Sequence, residues 1–377
     1  MKNRLLIAAT LAALSLFAAP DMRAASATDA LAAGAPAAAA GERFASYVPR
    51  NGHVRPLIAV IGDNAGTELT DFVAPYAVLQ RSGAVELLAV ATRPGPMKMR
   101  PALRLRPDTD FDGFDAWHPE GADYVIVPAL VKQDEPRMLA WLRAQHAKGA
   151  TIVSICDGAL VVADAGLLEG RRATAHWATD GHRRKTWPGT QWLSDARYVV
   201  DGDIASSAGI SAAMPVSLAL VEAIAGRDRA AEVAATLGVS DWGTAHDSAA
   251  FGLRPGNLWP IFQVNLGNHW FRRQQRFDIA LRPGMDDLAL AITADGWART
   301  GRATVRGVAT AAEVQGDSGL LWFADDRPSA GRDAPLEPLR AAAHATVFDA
   351  VLAAIDRRFG PTTARGVALD FEYAWRP

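Results

Sequence analysis

Cys156 is the only cysteine in the chain, and it stands in "ATIVSICDGALVVADAG", between an apolar run and a glycine. A lone thiol has two readings. It is a small buried hydrophobe, as most free cysteines are, or a nucleophile held ready by its neighbours. The local pattern favours the second. Residues 150–156 read as a buried strand and the segment from Gly158 as a helix, so the thiol falls in a strand-to-helix turn. Such a turn exposes its central residue above the sheet. The N–H groups of Asp157 and Gly158 then face it and favour a lowered thiol pKa, while Gly158 leaves room for the turn. A nucleophilic thiol needs a partner. Asp71 is the preferred one, four residues before Pro75 in a predicted helix whose hydrogen-bond ladder the proline interrupts. Buried beside a thiol, that carboxyl would be held protonated. Glu68 and Asp63 are rivals by the same logic. No group of His, Cys or carboxylate residues has the spacing of a structural zinc site, so neither metal nor cofactor is expected.

These residues need elements to position them. "PLIAVIG" (56–62), "VELLAVAT" (85–92), "DYVIVPA" (123–129) and "ATIVSIC" (150–156) are short apolar runs that read as strands. Between them, "TELTDFVAPYAVLQRSG" (67–83) and "PRMLAWLRAQHAKG" (136–149) carry apolar stripes at helical spacing and end in glycine. Strands that read as continuous apolar runs, alternating with helices, predict a doubly wound, mainly parallel α/β sheet covered on both faces. Cys156 then lies at the carboxyl end of a central strand, where open α/β sheets bind ligands. "DG" at 201–202 predicts a hairpin. "SSAGIS" after it suits a close backbone approach, with Ser207, Ala208 and Gly209 lining the pocket.

The strand–"SICDGA"–helix unit, "GLLEGRRATAHW" (166–177), "VVDGDIASSAGISAAMPVSLALVEAIAG" (199–226) and "TDFVAPYAVL" (70–79) together resemble the ThiJ/PfpI family of class I glutamine amidotransferase-like proteins. The likeness covers about residues 55–250 and is nearest to the isonitrile hydratase branch and the sensor domains of AraC-type regulators. It implies a flavodoxin-like fold, commonly dimeric, with Cys156 as nucleophile and Asp71 as its acidic partner. His176 falls where several members carry a histidine near the cysteine; its two readings are a catalytic base and a structural ring. His182 and His246 are weaker candidates. Family members often have Gly-Gly after the third strand, helping an oxyanion hole; here Ala129 and Leu130 occupy that stretch. Asp157 replaces a threonine or alanine. It disfavours a thiolate, or serves as a second acid.

The chain has 377 residues and a formal charge of −2, so nothing long-range attracts nucleic acid or an anionic membrane. Residues 1–27 read as a secretory signal: Lys2 and Arg4, an apolar run too short for a comfortable span, and "ASA" at 25–27. Export to a periplasm follows, with no stable membrane insertion after cleavage. An Ala/Gly-rich tether (28–53), the ThiJ/PfpI domain (54–250), a linker (251–276) without a DNA-reading helix, and a C-terminal α/β half-domain (277–377) complete the expected order. In the last of these, residues 285–310 align without a gap with 67–92, a partial internal repeat in which Ala289 stands opposite Asp71. A strand (319–325), a helix (338–360) and a strand (364–374) are expected after it.

Two functions remain open at this level. One is a cofactor-free hydratase or hydrolase for a small electrophile of isonitrile, oxoaldehyde or amide type. The other is a non-catalytic small-molecule-binding or oxidative-stress-sensing module. The expected partners are a small molecule and a second copy of the chain.

Overall fold

Apolar runs closed by glycine build the first half of the structure, a computed structural model that describes residues 42–328, 334–340 and 346–376. The signal segment and residues 28–41 of the tether lie outside the described residues. β1 (Leu57–Gly62) leads into α1 (Leu69–Ser82), which Gly83 ends in the left-handed conformation at φ 64°. β2 (Glu86–Ala91) follows, then a hairpin of β3 (Met97–Arg100) and β4 (Arg104–Arg106), and the short β5 (Thr109–Asp110). β6 (Tyr124–Val127), α2 (Pro136–Ala147), β7 (Thr151–Ser154) and α3 (Gly158–Asp164) continue the alternation. β8 (Tyr198–Asp201) and β9 (Ile204–Ser207) pair as the hairpin expected from Asp201-Gly202, and α4 (Ala213–Ala225) follows.

The seven-stranded sheet runs β8-β9-β7-β6-β1-β2-β5, parallel throughout except at β8. One face packs on α1 and α4, the other on α2 and α3, in two separate apolar cores. This is the doubly wound fold expected.

The second half repeats the start of the first. β10 (Gln275–Ala280), α5 (Asp287–Arg299) and β11 (Ala303–Val308) are followed by the hairpin β12 (Glu313–Gln315) and β13 (Leu321–Phe323), then β14 (Ala334–Leu336), α6 (Val347–Phe359) and α7 (Pro361–Asp370). Its small sheet runs β11-β10-β14, all parallel. The two halves share one core, in which Phe72 and Val73 of α1 join Leu288 and Ile292 of α5. α1 and α5 are therefore buried on nearly every face. Each is sandwiched between its own sheet and the other helix.

Three expectations change here. The tether is docked from residue 42: Phe44 is buried, Glu42 pairs with Arg172 at 2.6 Å, and Arg50 pairs with Asp123 at 2.7 Å. Its few aromatic and charged residues anchor it. Residues 251–276 are not a bare linker, because the helix Pro255–Phe262 packs on α7. The strand expected at 364–374 is largely helix. Pro361 starts it, and Thr363, Ala364, Val367, Ala368 and Phe371 are buried at helical spacing.

Candidate active site

The turn after β7 is built to lift one side chain. Cys156 has φ 55°, in the left-handed region that a residue with a Cβ enters only when its surroundings impose it. The imposing contact is at Gly158: a Cβ there would lie 2.0 Å from the carbonyl oxygen of Val127 in β6. α3 can start this close to the sheet only without that side chain. The Gly158 N–H closes the turn on the Ile155 carbonyl (2.8 Å), the Ile155 N–H donates to the Val127 carbonyl of β6 (2.9 Å), and the Cys156 N–H donates to Ser207 Oγ at the end of β9 (3.3 Å). The turn is thus tied to strands on both sides.

The thiol is 5 % exposed. Burial pushes its pKa well up, and the carboxyls of Asp71, Asp157 and Glu68 add to the shift. The Asp157 N–H opposes them and does not win. The lowered thiol pKa expected from a helix start is therefore not what this closed site produces. A cavity of about 200 Å³ is lined by Glu68, Ala129, Leu130, Arg100 and Arg299, among others, and Cys156 does not reach its wall. A larger one of about 410 Å³, around Tyr198 and Trp242, holds none of the site residues.

Asp71 is fully buried in the first turn of α1, its N–H donating to the capping carboxylate of Glu68 at 2.5 Å. Its Oδ2 accepts the Ala129 N–H at 3.2 Å, and its Oδ1 is buried with no partner. Burial raises its pKa to about 8, against the pull of Arg299, so the acid is mostly protonated at neutral pH. Glu68 is raised too, by burial and then by the charges of Asp295 and Asp71. Asp63 belongs to a different structure: it accepts from the Ala65 N–H (2.9 Å) and Thr92 Oγ1 (2.9 Å) and shapes the loop after β1. Asp157 accepts from Thr179 Oγ1 at 2.8 Å, and burial raises its pKa.

His176 is buried with both ring nitrogens engaged by main chain. Nδ1 accepts the Ala178 N–H at 3.2 Å, and Nε2 meets the Asp370 carbonyl at 3.0 Å. These contacts tie the ring to the loop after it and to the end of α7. Arg183, 1 % exposed, clamps the same loop by donating to the His176 carbonyl at 2.5 Å. His246 pairs with Glu372 at 2.8 Å, and His182 stacks edge-on against Trp187.

The expected oxyanion donors are largely spent. The N–H of Ala129 serves Asp71, that of Gly158 serves Ile155, that of Ala208 serves the Arg197 carbonyl (2.8 Å), and that of Gly209 serves Glu372 (2.8 Å). Leu130 lines the cavity. Ser207 steadies the turn through the Cys156 N–H.

Sequence reasoning misses what the C-terminal half contributes. Glu372, buried and at φ 54°, also receives Ser248 Oγ at 2.5 Å and the Trp177 N–H at 3.3 Å. Arg299 pairs with Glu68, Asp295 and Asp370, each at 2.6 Å. Arg299 is findable from the repeat, where it stands opposite Arg81. Glu372 has no local signal.

Among the described residues, His53, His118 and Glu120 bring ligand atoms within 4.8 Å of one another. They lie by Asp123, at the amino end of β6, away from Cys156. No described helix is long and apolar enough to cross a membrane.

The DJ-1/PfpI family matches residues 58–223. Over 165 residues the chain is 32 % identical to isonitrile hydratase from Pseudomonas putida, an alignment covering 42 % of this chain and 68 % of that protein. The chain belongs to the DJ-1/PfpI family. It is also 26 % identical over 144 residues to a deglycase from Pyrococcus horikoshii, covering 37 % of this chain and 82 % of that one. Among solved structures, Drosophila melanogaster DJ-1beta is 24 % identical with a TM-score of 0.45, covering 50 % of this chain and 100 % of that one. The DJ-1/PfpI match ends inside α4, so the second half of the chain lies beyond it.

Proposed function

We propose that the chain is a cofactor-free, cysteine-dependent hydratase or hydrolase for a small electrophilic carbon of isonitrile, oxoaldehyde or amide type. Cys156 is the nucleophile and Asp71 its proton relay. The observation that carries this reading is a cysteine held at φ 55° within electrostatic reach of a buried, mostly protonated carboxyl whose Oδ1 has no partner. The site starts neutral, with both protons in place. For an isonitrile, Sγ bonds to the terminal carbon as Asp71 gives that carbon a proton and takes the thiol's. A thioimidate results. Water then adds to its carbon and the thiol leaves with a proton, giving a formamide. Each atom balances, and no oxidant or cofactor enters. The kinship with an isonitrile hydratase and a deglycase supports the class.

The test is the pH dependence of Cys156 alkylation in wild type and Asp71→Asn, followed by turnover of the three substrate types. A profile that moves with Asp71, and turnover lost in Cys156→Ser, support the proposal. A thiol inert at every pH overturns it.

A second reading, an oxidation-sensing or ligand-binding module, is favoured by the spent N–H donors, since an acyl-transfer site needs some of them free. Sulfinylation of Cys156 without turnover of any substrate would select it. In either case we place the protein in a periplasm, on the signal-like residues 1–27. N-terminal sequencing of the exported chain tests that.

A further inference from the structure

The internal repeat has a spatial counterpart. Extending the alignment of 67–92 with 285–310 towards the N-terminus matches β1 residue for residue with β10, and within it α1 starts opposite the start of α5. α1 and α5 pack on each other. Glu68 caps α1 and Asp286 stands opposite it, capping α5. Arg81 in the last turn of α1 stands opposite Arg299 in the last turn of α5. Each arginine pairs with the other helix's capping acid: Arg299 with Glu68 at 2.6 Å, Arg81 with Asp286 at 3.0 Å.

The hairpins agree. Continuing the same alignment matches Arg104 with Trp322 and Leu105 with Phe323. β4 and β13 pair antiparallel, Leu105 to Trp322 and Arg106 to Leu321. That is the register imposed by a two-fold axis passing between residues 104 and 105. Reciprocal contacts of this kind, i to j and j to i, define the interface of a symmetric dimer. Here they occur within one chain.

We propose that the C-terminal half is a built-in second subunit. It fills the surface through which two copies would pair, and it lends Arg299 to the Cys156 site as a positioning residue. Arg299 acts through Glu68, which it pairs with and which accepts the Asp71 N–H at the start of α1. It is the cation beside Glu68, Asp71 and Asp295, and removing it makes every anion of that cluster costlier. Arg81, its symmetry mate, has no thiol to serve.

Two measurements test the first part independently of Cys156. Light scattering of the purified chain is expected to give the mass of one chain across a wide concentration range; a two-chain mass overturns the proposal. In a Cys156→Ala background, Arg106→Cys with Leu321→Cys is expected to close a disulfide within single chains under oxidation. Covalent dimers, or folded protein with no cross-link, overturn it. The second part rests on the proposed nucleophile. Arg299→Ala is expected to shift the alkylation profile of Cys156 by on the order of one pH unit, with Arg299→Lys restoring most of the wild-type profile. Arg81→Ala leaves the profile in place. Equal shifts from both arginines, or none from Arg299, overturn the positioning role. A thiol inert in wild type removes the nucleophile and Arg299's role together, while the mass and the cross-link still decide the built-in subunit.

Discussion

The two capping acids make the comparison. Glu68 and Asp286 hold the same place on matched helices and meet matched arginines. Glu68 sits with Asp71, Asp295 and a thiol, and its pKa is driven up. Asp286 meets Arg81, which also reaches the half-exposed Asp317 at 3.5 Å. Opposite Asp71 stands Ala289, and no cysteine follows β14. The same scaffold therefore holds a thiol beside Asp71 in one half and has no counterpart of either in the other. The difference lies in a few side chains, because function resides in a site and not in a fold.

The sharpest way to break the comparison is Cys156→Ser, which should abolish alkylation and turnover while the second half keeps its structure; mass spectrometry and kinetics check both. Gly158→Ala comes next. Its Cβ would collide with the Val127 carbonyl, so α3 or β6 must shift, for a loss of about 3 kcal/mol in urea unfolding. Ala289→Asp would make the second half more like the first at Asp71's counterpart. It buries a carboxyl where no partner is arranged, and a loss of about 3 kcal/mol is expected, smaller at low pH where the acid is neutral.

Asp71 provides a pH test with a definite sign. Its folded pKa of about 8 lies above the unfolded value of about 3.9, so the folded chain binds the extra proton between them. Stability is full below pH 4 and falls as pH rises toward 8. Asp71→Asn should flatten that fall and unfold later than wild type at pH 8, by on the order of 2 kcal/mol. Urea midpoints at pH 5 and pH 8 measure it. Arg81→Ala should cost least, below about 1 kcal/mol, since its pairs are partly solvated.

Much of the first half is legible in the sequence. Strands buried on both faces print as unbroken apolar runs, and glycines mark the ends of α1 and the elbow. Cys156 and Asp71 are findable because each sits at a local break in a periodic pattern. The rest depends on distant contacts that leave no period. Nothing near Gly209 announces that its N–H serves Glu372, and nothing in "ARGVALDFEYA" reveals that Gly360 and Pro361 start a helix whose end carries that glutamate. The thiol's raised pKa has the same origin: a helix start is local, but the closure around it and two of the three carboxyls come from elsewhere in the chain.

The pairing of α1 with α5 inside one polypeptide also changes how the protein can vary. In a dimer of identical chains, every substitution arrives twice, and a change that improves one face of the contact is imposed on the other. A contact encoded by two separate stretches is free of that constraint. Residue 71 can remain acidic while residue 289 becomes alanine, and residue 81 can change without residue 299. Inheritance acts on each side of the pseudo-axis separately, so one side can carry a thiol and an acid that the other lacks.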